Sequence, residues 1–356
     1  MKAEKQLRIR LDTFDFVKGM LMILLIWGHK IPYYGDRLPD FIKAIEPVMG
    51  FLRYGTNPAF FMIAGFGFRA TNGKKCLSKT FGDLVKPYLY VMAAYAVCFP
   101  LLHYAVFRWW PGAIHEAIRF LLAFLLGLPR SGKVFLGYEL YECSVVWFLL
   151  SLFISLNVLN WILNRKGEKL QHILVLVCFA VGYLLMKADF IYYCIPQGLI
   201  GVGCCYAGFL IKKKKLYNSK RLPVICIALV AATVVQLIWG GFSMAGGTSV
   251  LGVFDLILSG CTGALVLFMG IWIGNLEWRA LDPIKTIGVY TYWLICIHSV
   301  DMSCIPWYQW SNYMSSRPLL GLAIEITISG LIMTIGCVVL KKIAKWRYKR
   351  RSLANG

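Results

Sequence analysis

One length recurs along this chain and restricts its fold more than anything else: about ten stretches, each of about 20 mostly apolar residues, alternate with short polar segments. A bilayer core is roughly 30 Å thick, and a helix of that length crosses it with every backbone group satisfied internally. The stretches fall at about 13–31, 47–68, 86–107, 143–163, 171–187, 190–211, 222–240, 250–274, 284–304 and 318–340. A mean hydropathy of +0.64 with only 15% charged residues excludes an ordinary water-soluble domain. A further apolar piece at 117–128 is about a dozen residues long, too short to cross, and reads as a re-entrant or surface helix within a long loop, 108–142. The first stretch reads as a retained span, because Gly28-His29-Lys30-Ile31-Pro32 follows it without a small-x-small cleavage site.

The net charge of +21 raises the question of whether nucleic acid or a membrane surface faces the cations. With the N-terminus inside, 27 of the 38 Lys and Arg fall on inner segments and 9 on outer ones, with Lys30 counted in the first outer loop. That asymmetry predicts an even number of spans with both termini cytoplasmic. It also accounts for the basic clusters Lys212 to Lys215 and Lys341 to Arg351 as juxtamembrane insertion signals, which leaves no support for nucleic-acid binding. Most of the 12 cysteines, among them Cys98, Cys178, Cys204, Cys205, Cys226, Cys261 and Cys337, lie inside apolar runs, with no CxxC and no metal-ligand spacing. The expected fold is therefore all-α: a polytopic membrane bundle of about ten helices over 13–340, with a cytoplasmic N-terminal segment 1–12, a basic tail 341–356 and no soluble domain.

An ionisable group inside a span is costly enough to mark a functional candidate. Asp15, Lys18 and His29 share one stripe of the first helix, since 15 to 18 is about one turn and 18 to 29 returns to within about 20°. Lys18 and His29 are roughly 16 Å apart along the axis and mark two ends of one interior face. Asp15 and Lys18 also read as a self-neutralising pair near the inner headgroups. By rise per residue His29 stands about 24 Å and His298 about 21 Å from the inner side, while Arg53, Asp255 and Glu325 lie roughly 8 to 10 Å from the outer ends of their spans. Five helices thus place a polar residue in one layer. Arg53, Asp255 and Glu325 admit a second reading, in which they pair among themselves to stabilise the bundle.

Five segments in order resemble a known family. The run Leu11-Asp12-Thr13-Phe14-Asp15-Phe16-Val17-Lys18-Gly19 leading to Gly28-His29 is similar to the first helix of the acyltransferase 3 family of membrane O-acyltransferases, where a basic residue stands eleven positions before a histidine. Asn57-Pro58-Ala59-Phe60-Phe61-Met62-Ile63-Ala64-Gly65-Phe66 resembles its FF-x-x-SG-[FY] helix, and Leu84-Val85-Lys86-Pro87-Tyr88 the R-x-x-x-PY segment after it. Trp147-Phe148-Leu149 resembles its WFL helix, and Ile287-Gly288-Val289-Tyr290-Thr291-Tyr292 through Ile297-His298 its late IG-x-x-S-x-x-x-Y-x-x-H helix. The chain departs from the pattern at Ala64, where the motif has serine, and at Lys18, where many members have arginine; lysine lacks the bidentate fork. A two-arginine motif of some members is reduced to Arg69 with Lys74 and Lys75 nearby, and the extracytoplasmic hydrolase-like domain of others does not follow the tenth span, so the chain is expected to deliver acyl groups itself or through a separate partner.

The resemblance implies transfer of an acyl group, most often acetyl, from cytoplasmic acyl-CoA to a hydroxyl of a cell-surface or lipid-linked carbohydrate, in the cytoplasmic membrane and without a metal. His29, Lys18 and His298 are then the catalytic candidates, with Asp15, Arg53, Asp255 and Glu325 supporting. Cations at Arg69, Lys74, Lys75 and Lys86 are suited to attracting the CoA phosphates, although inner-face charge bias alone also places them there. An imidazole, ordinarily of pKa about 6.5, is neutral enough to take the acceptor's proton, and an acyl-histidine intermediate stays open. Arg53 or Lys18 is a candidate oxyanion donor, and Asp255 or Glu325 a candidate partner for an imidazole's second nitrogen. The rival readings are a transporter or flippase for a glycan or lipid-linked intermediate, which ten spans and the glycines from Gly198 to Gly208 also suit, and a noncatalytic scaffold.

Overall fold

The computed structural model describes residues 11–276 and 278–354. Most of the expected N-terminal segment 1–12, Glu277 and the last two residues of the expected tail lie outside the described residues. The chain is 81% helical, a polytopic helical membrane protein. Helix α1 (Leu11–Lys30) stops just before Pro32, which cannot continue it, and a tight turn over Ile31–Tyr34 leads into α2 (Pro39–Gly67). At that helix's far end come short α3 (Gly73–Thr80) and α4 (Lys86–Phe107). Helix α5 (Trp110–Leu126) ends at Gly127, whose φ of +57° is a left-handed cap that glycine adopts without strain. A small hairpin, β1 (Lys133–Phe135) with β2 (Tyr138–Leu140), precedes α6 (Trp147–Leu163). Then follow α7 (Glu168–Lys187), α8 (Ile195–Lys213), α9 (Leu222–Trp239) and α10 (Val253–Gly274). The chain closes with α11 (Asp282–Val289), α12 (Thr291–Cys304), α13 (Trp307–Tyr313) and α14 (Pro318–Ala354).

Among the described residues, seven segments are long and apolar enough to cross a membrane. Helices α1, α2 and the α11–α12 pair, three of the expected ten, are not among them. They are also the helices that carry His29, Arg53 and His298.

Two expectations need correcting. The piece read as a short helix at 117–128 runs from Trp110 to Leu126 and packs on α4 through Tyr88, Tyr95 and Phe99, which meet Phe120 and Phe124. The stretch read as one span at 284–304 breaks at Tyr290 (φ −104°, ψ 11°) into α11 and α12. Helix α14 also takes in residues 341–354 of the expected tail.

Small residues bring backbones together at the crossing that places the site. A Cβ on Gly288 would stand 1.6 Å from the Asp15 carbonyl oxygen, and one on Gly19 1.9 Å from that of Ile284, so α1 and α11 touch backbone to backbone. In a bilayer, where apolar contact with lipid is as good as with protein, such close approach is the main source of helix association. This crossing fixes the direction in which α1 leaves toward His29 and α12 toward His298.

Candidate active site

His29 is the next-to-last residue of α1, and His298 lies mid-helix on α12. Their ring centroids are 5.7 Å apart. His298 is fully buried, its Nδ1 is 3.4 Å from Asp301 Oδ2 one turn on, and neither ring nitrogen has a well-formed hydrogen bond among the described residues. His29 is partly open and lines a cavity of about 300 Å³ enclosed by α1, α2, the start of α6 and the loop before α10. Arg53, Thr56 and Asn57 reach it from α2, Trp147 and Phe148 from α6, and Ser243 to Ala245 from the loop. It offers an imidazole, a guanidinium, an amide and two hydroxyls within an otherwise apolar wall, the composition of a small-molecule site.

Behind the two histidines lies a buried ionic cluster. Lys30 Nζ is 3.2 Å from Asp301 Oδ2 and 3.6 Å from Glu325 Oε1, all three side chains being 0% exposed. The ammonium also sits 4.2 Å from the centre of the Trp307 ring, a cation–π contact. Ser329 donates to both Asp301 carboxylate oxygens at 3.1 and 2.9 Å, and Trp307 Nε1 donates to the Asp301 carbonyl at 2.8 Å. One cation therefore holds α1, α12 and α14 together, and Asp301 faces Lys30 and His298 at once.

Other candidates fall elsewhere. Lys18 pairs with Asp15 at 2.7 Å near the start of α1, so these two form the self-neutralising pair. Arg53, Asp255 and Glu325 do not pair among themselves. Arg53 is exposed and meets Glu46 of its own helix at 3.4 Å, while Glu325 binds Lys30. Asp255, fully buried, accepts hydrogen bonds from Gln236 Nε2 and the backbone amides of Gly241, Val250 and Leu251 at 2.6–3.1 Å. It does not orient an imidazole; it fastens the loop whose Ser243 to Ala245 line the cavity. The carboxylate beside a histidine is Asp301, which the sequence reading passed over although it stands one turn after His298. Lys30 was counted in an outer loop and is instead wholly buried in α1.

At the opposite end of the bundle, Arg69, Lys74, Lys75 and Lys86 are all exposed along the link from α2 to α4. The second basic loop comes alongside: Lys212 Nζ stands 5.8 Å from the Phe66 ring centre, and Phe66 packs on Phe14 and Tyr217. Cations from two loops thus gather where α1 begins.

A family model described as an acyltransferase domain matches residues 11–342. No match exists to a curated protein or to a solved structure.

Proposed function

The chain belongs to the acyltransferase 3 family, and on that premise we propose that it works in the cytoplasmic membrane, moving an acetyl group from acetyl-CoA to a hydroxyl of a cell-surface or lipid-linked carbohydrate. The observation that carries this reading is the cavity at His29, which combines a partly open imidazole with neighbouring donors. CoA is a cytoplasmic polyanion, and the cations gathered where α1 begins suit its phosphates. Lys18, tied to Asp15, stands roughly 16 Å along α1 from His29, a separation that a pantetheine arm can span.

In the transfer step His29 accepts the hydroxyl proton as the acceptor oxygen attacks the thioester carbon. The tetrahedral intermediate collapses with cleavage of the carbon–sulfur bond, and the same imidazole returns the proton to the departing sulfur. Ester and free thiol are the products, so the imidazole ends as it began. Arg53 and the Asn57 amide border the same cavity and are the donors proposed for the oxyanion. His298, close to Asp301 and packed beside the His29 ring, limits where that ring can turn.

The test uses wild type and His29→Ala inserted in membranes with radiolabelled acetyl-CoA and a surface-glycan extract. Loss of general-base catalysis predicts a fall of about two to four orders of magnitude in label transferred to carbohydrate, at equal protein levels. Equal transfer by both would remove His29 from the mechanism.

A further inference from the structure

A second cavity, about 620 Å³, does not contain His29. It lies between the end of α4, the start of α5, the segment before α6 and the link from α12 into α13, all at the His29 end of the bundle, which the positive-inside count makes the outer end. Two chain segments separate it from the His29 cavity. In the turn after α1, Pro32 faces the His29 cavity and Tyr33 the other one; at the entry to α6, Val145 and Trp147 line the former while Tyr141 and Glu142 line the latter.

The walls of this outer space are aromatic and hydroxylated, and its rim carries Trp109 and Tyr308, 63% and 60% exposed. Of its carboxylates, Glu116 is engaged by Arg119, which donates at 3.0 and 3.1 Å, and by the Tyr141 hydroxyl. Glu142 has no hydrogen-bond or ion-pair partner among the described residues, and burial pushes its carboxyl above the usual range. A half-buried carboxylate without a donor is a standing demand for hydroxyl hydrogens. Its charge disfavours an anion such as CoA, whereas aromatic faces beside it suit the apolar face of a sugar ring.

We propose that this outer cavity is the carbohydrate acceptor's binding site, with Glu142 accepting hydrogen bonds from the sugar hydroxyls and the rim aromatics Trp109 and Tyr308 stacking on the ring. The proposal rests on the acyl-transfer reading for calling the bound sugar the acceptor, whose hydroxyl would be presented toward His29 beside the segments 31–34 and 141–147 that both cavities share as walls. It does not rest on that reading for the binding itself.

The experiment measures sugar binding and acetyl transfer separately on the purified full chain in detergent. Quenching of tryptophan fluorescence is titrated with cellobiose, maltose, lactose and chitobiose, and transfer from acetyl-CoA to the same four sugars is followed in parallel. At least one disaccharide is expected to bind wild type and His29→Ala equally, and to bind Glu142→Gln and the rim variant Tyr308→Ala about tenfold more weakly. Tyr308 is an exposed surface position, so its variant guards against a folding failure at Glu142. Absence of binding by all four sugars, or affinities unchanged in both variants, overturns the proposal. Binding that depends on Glu142 with no transfer from acetyl-CoA would keep the sugar site and remove the acyl-transfer reading. Transfer that is indifferent to Glu142 and Tyr308 would do the reverse.

Discussion

Helix α1 carries a Lys–Asp contact near each end, and the two are built differently. At its start, Lys18 meets Asp15 on the same helix, one turn away, with both side chains 23% exposed. At its end, Lys30 meets Asp301 and Glu325 from two other helices, with nothing exposed. The first pair cancels its own charge wherever the helix goes. The second is satisfied only when α1, α12 and α14 are together, so it specifies an arrangement rather than a segment. A charge with a partner on its own helix can also be spared for an incoming ligand, whereas one that ties three helices cannot.

Breaking the inter-helix contact is expected to have the largest effect. Lys30→Met leaves two carboxylates buried without a cation and should cost about 3–5 kcal/mol of stability, read as a fall in thermal midpoint of the detergent-solubilised protein. The triple change Lys30→Met, Asp301→Asn and Glu325→Gln should recover part of that loss, because no uncompensated charge remains. A single variant as stable as wild type would reduce the cluster to decoration. Asp255 sharpens the comparison, being a buried carboxylate balanced by an amide side chain and three backbone donors instead of a cation. Asp255→Asn keeps one acceptor oxygen and loses the charge, for an expected cost of about 1–3 kcal/mol, accompanied by faster proteolysis in 240–252. The smallest effect belongs to Lys18→Met: less than about 1 kcal/mol in stability, with a raised KM for acetyl-CoA and an unchanged kcat. A stability loss matching that of Lys30→Met would erase the distinction between the two ends.

Much of the helical framework was readable because a span announces itself locally, by twenty apolar residues in a row. The break at Tyr290 was not, since no proline marks it, and the close passage of Gly288 over α1 is a property of two distant segments. The same limit shaped the site. His29 and His298 stand out as polar residues in apolar surroundings. Lys30 sits at the last position of its helix, where a lysine ordinarily reaches for the interface, and only a carboxylate from α12 and another from α14 reveal that it turns inward. Asp301 carried a usable signal, one helical turn from His298, which had been spent on Asp255 and Glu325. Asp255 lies in a span by sequence but answers to the loop that precedes it, because backbone amides, which no sequence pattern displays, are its partners.

The Lys30 cluster also has a consequence for how the protein is made. Its two carboxylates lie 271 and 295 residues downstream of the lysine they neutralise. At roughly 5–20 residues per second, translation needs roughly 15–60 s to reach Glu325 after Lys30 has been synthesised. For that interval α1 is a span with its terminal ammonium unanswered, able only to stretch toward the outer interface. Biogenesis therefore has a built-in waiting period, and a translocation partner that shelters α1 until α12 and α14 arrive would set the yield of correctly assembled protein.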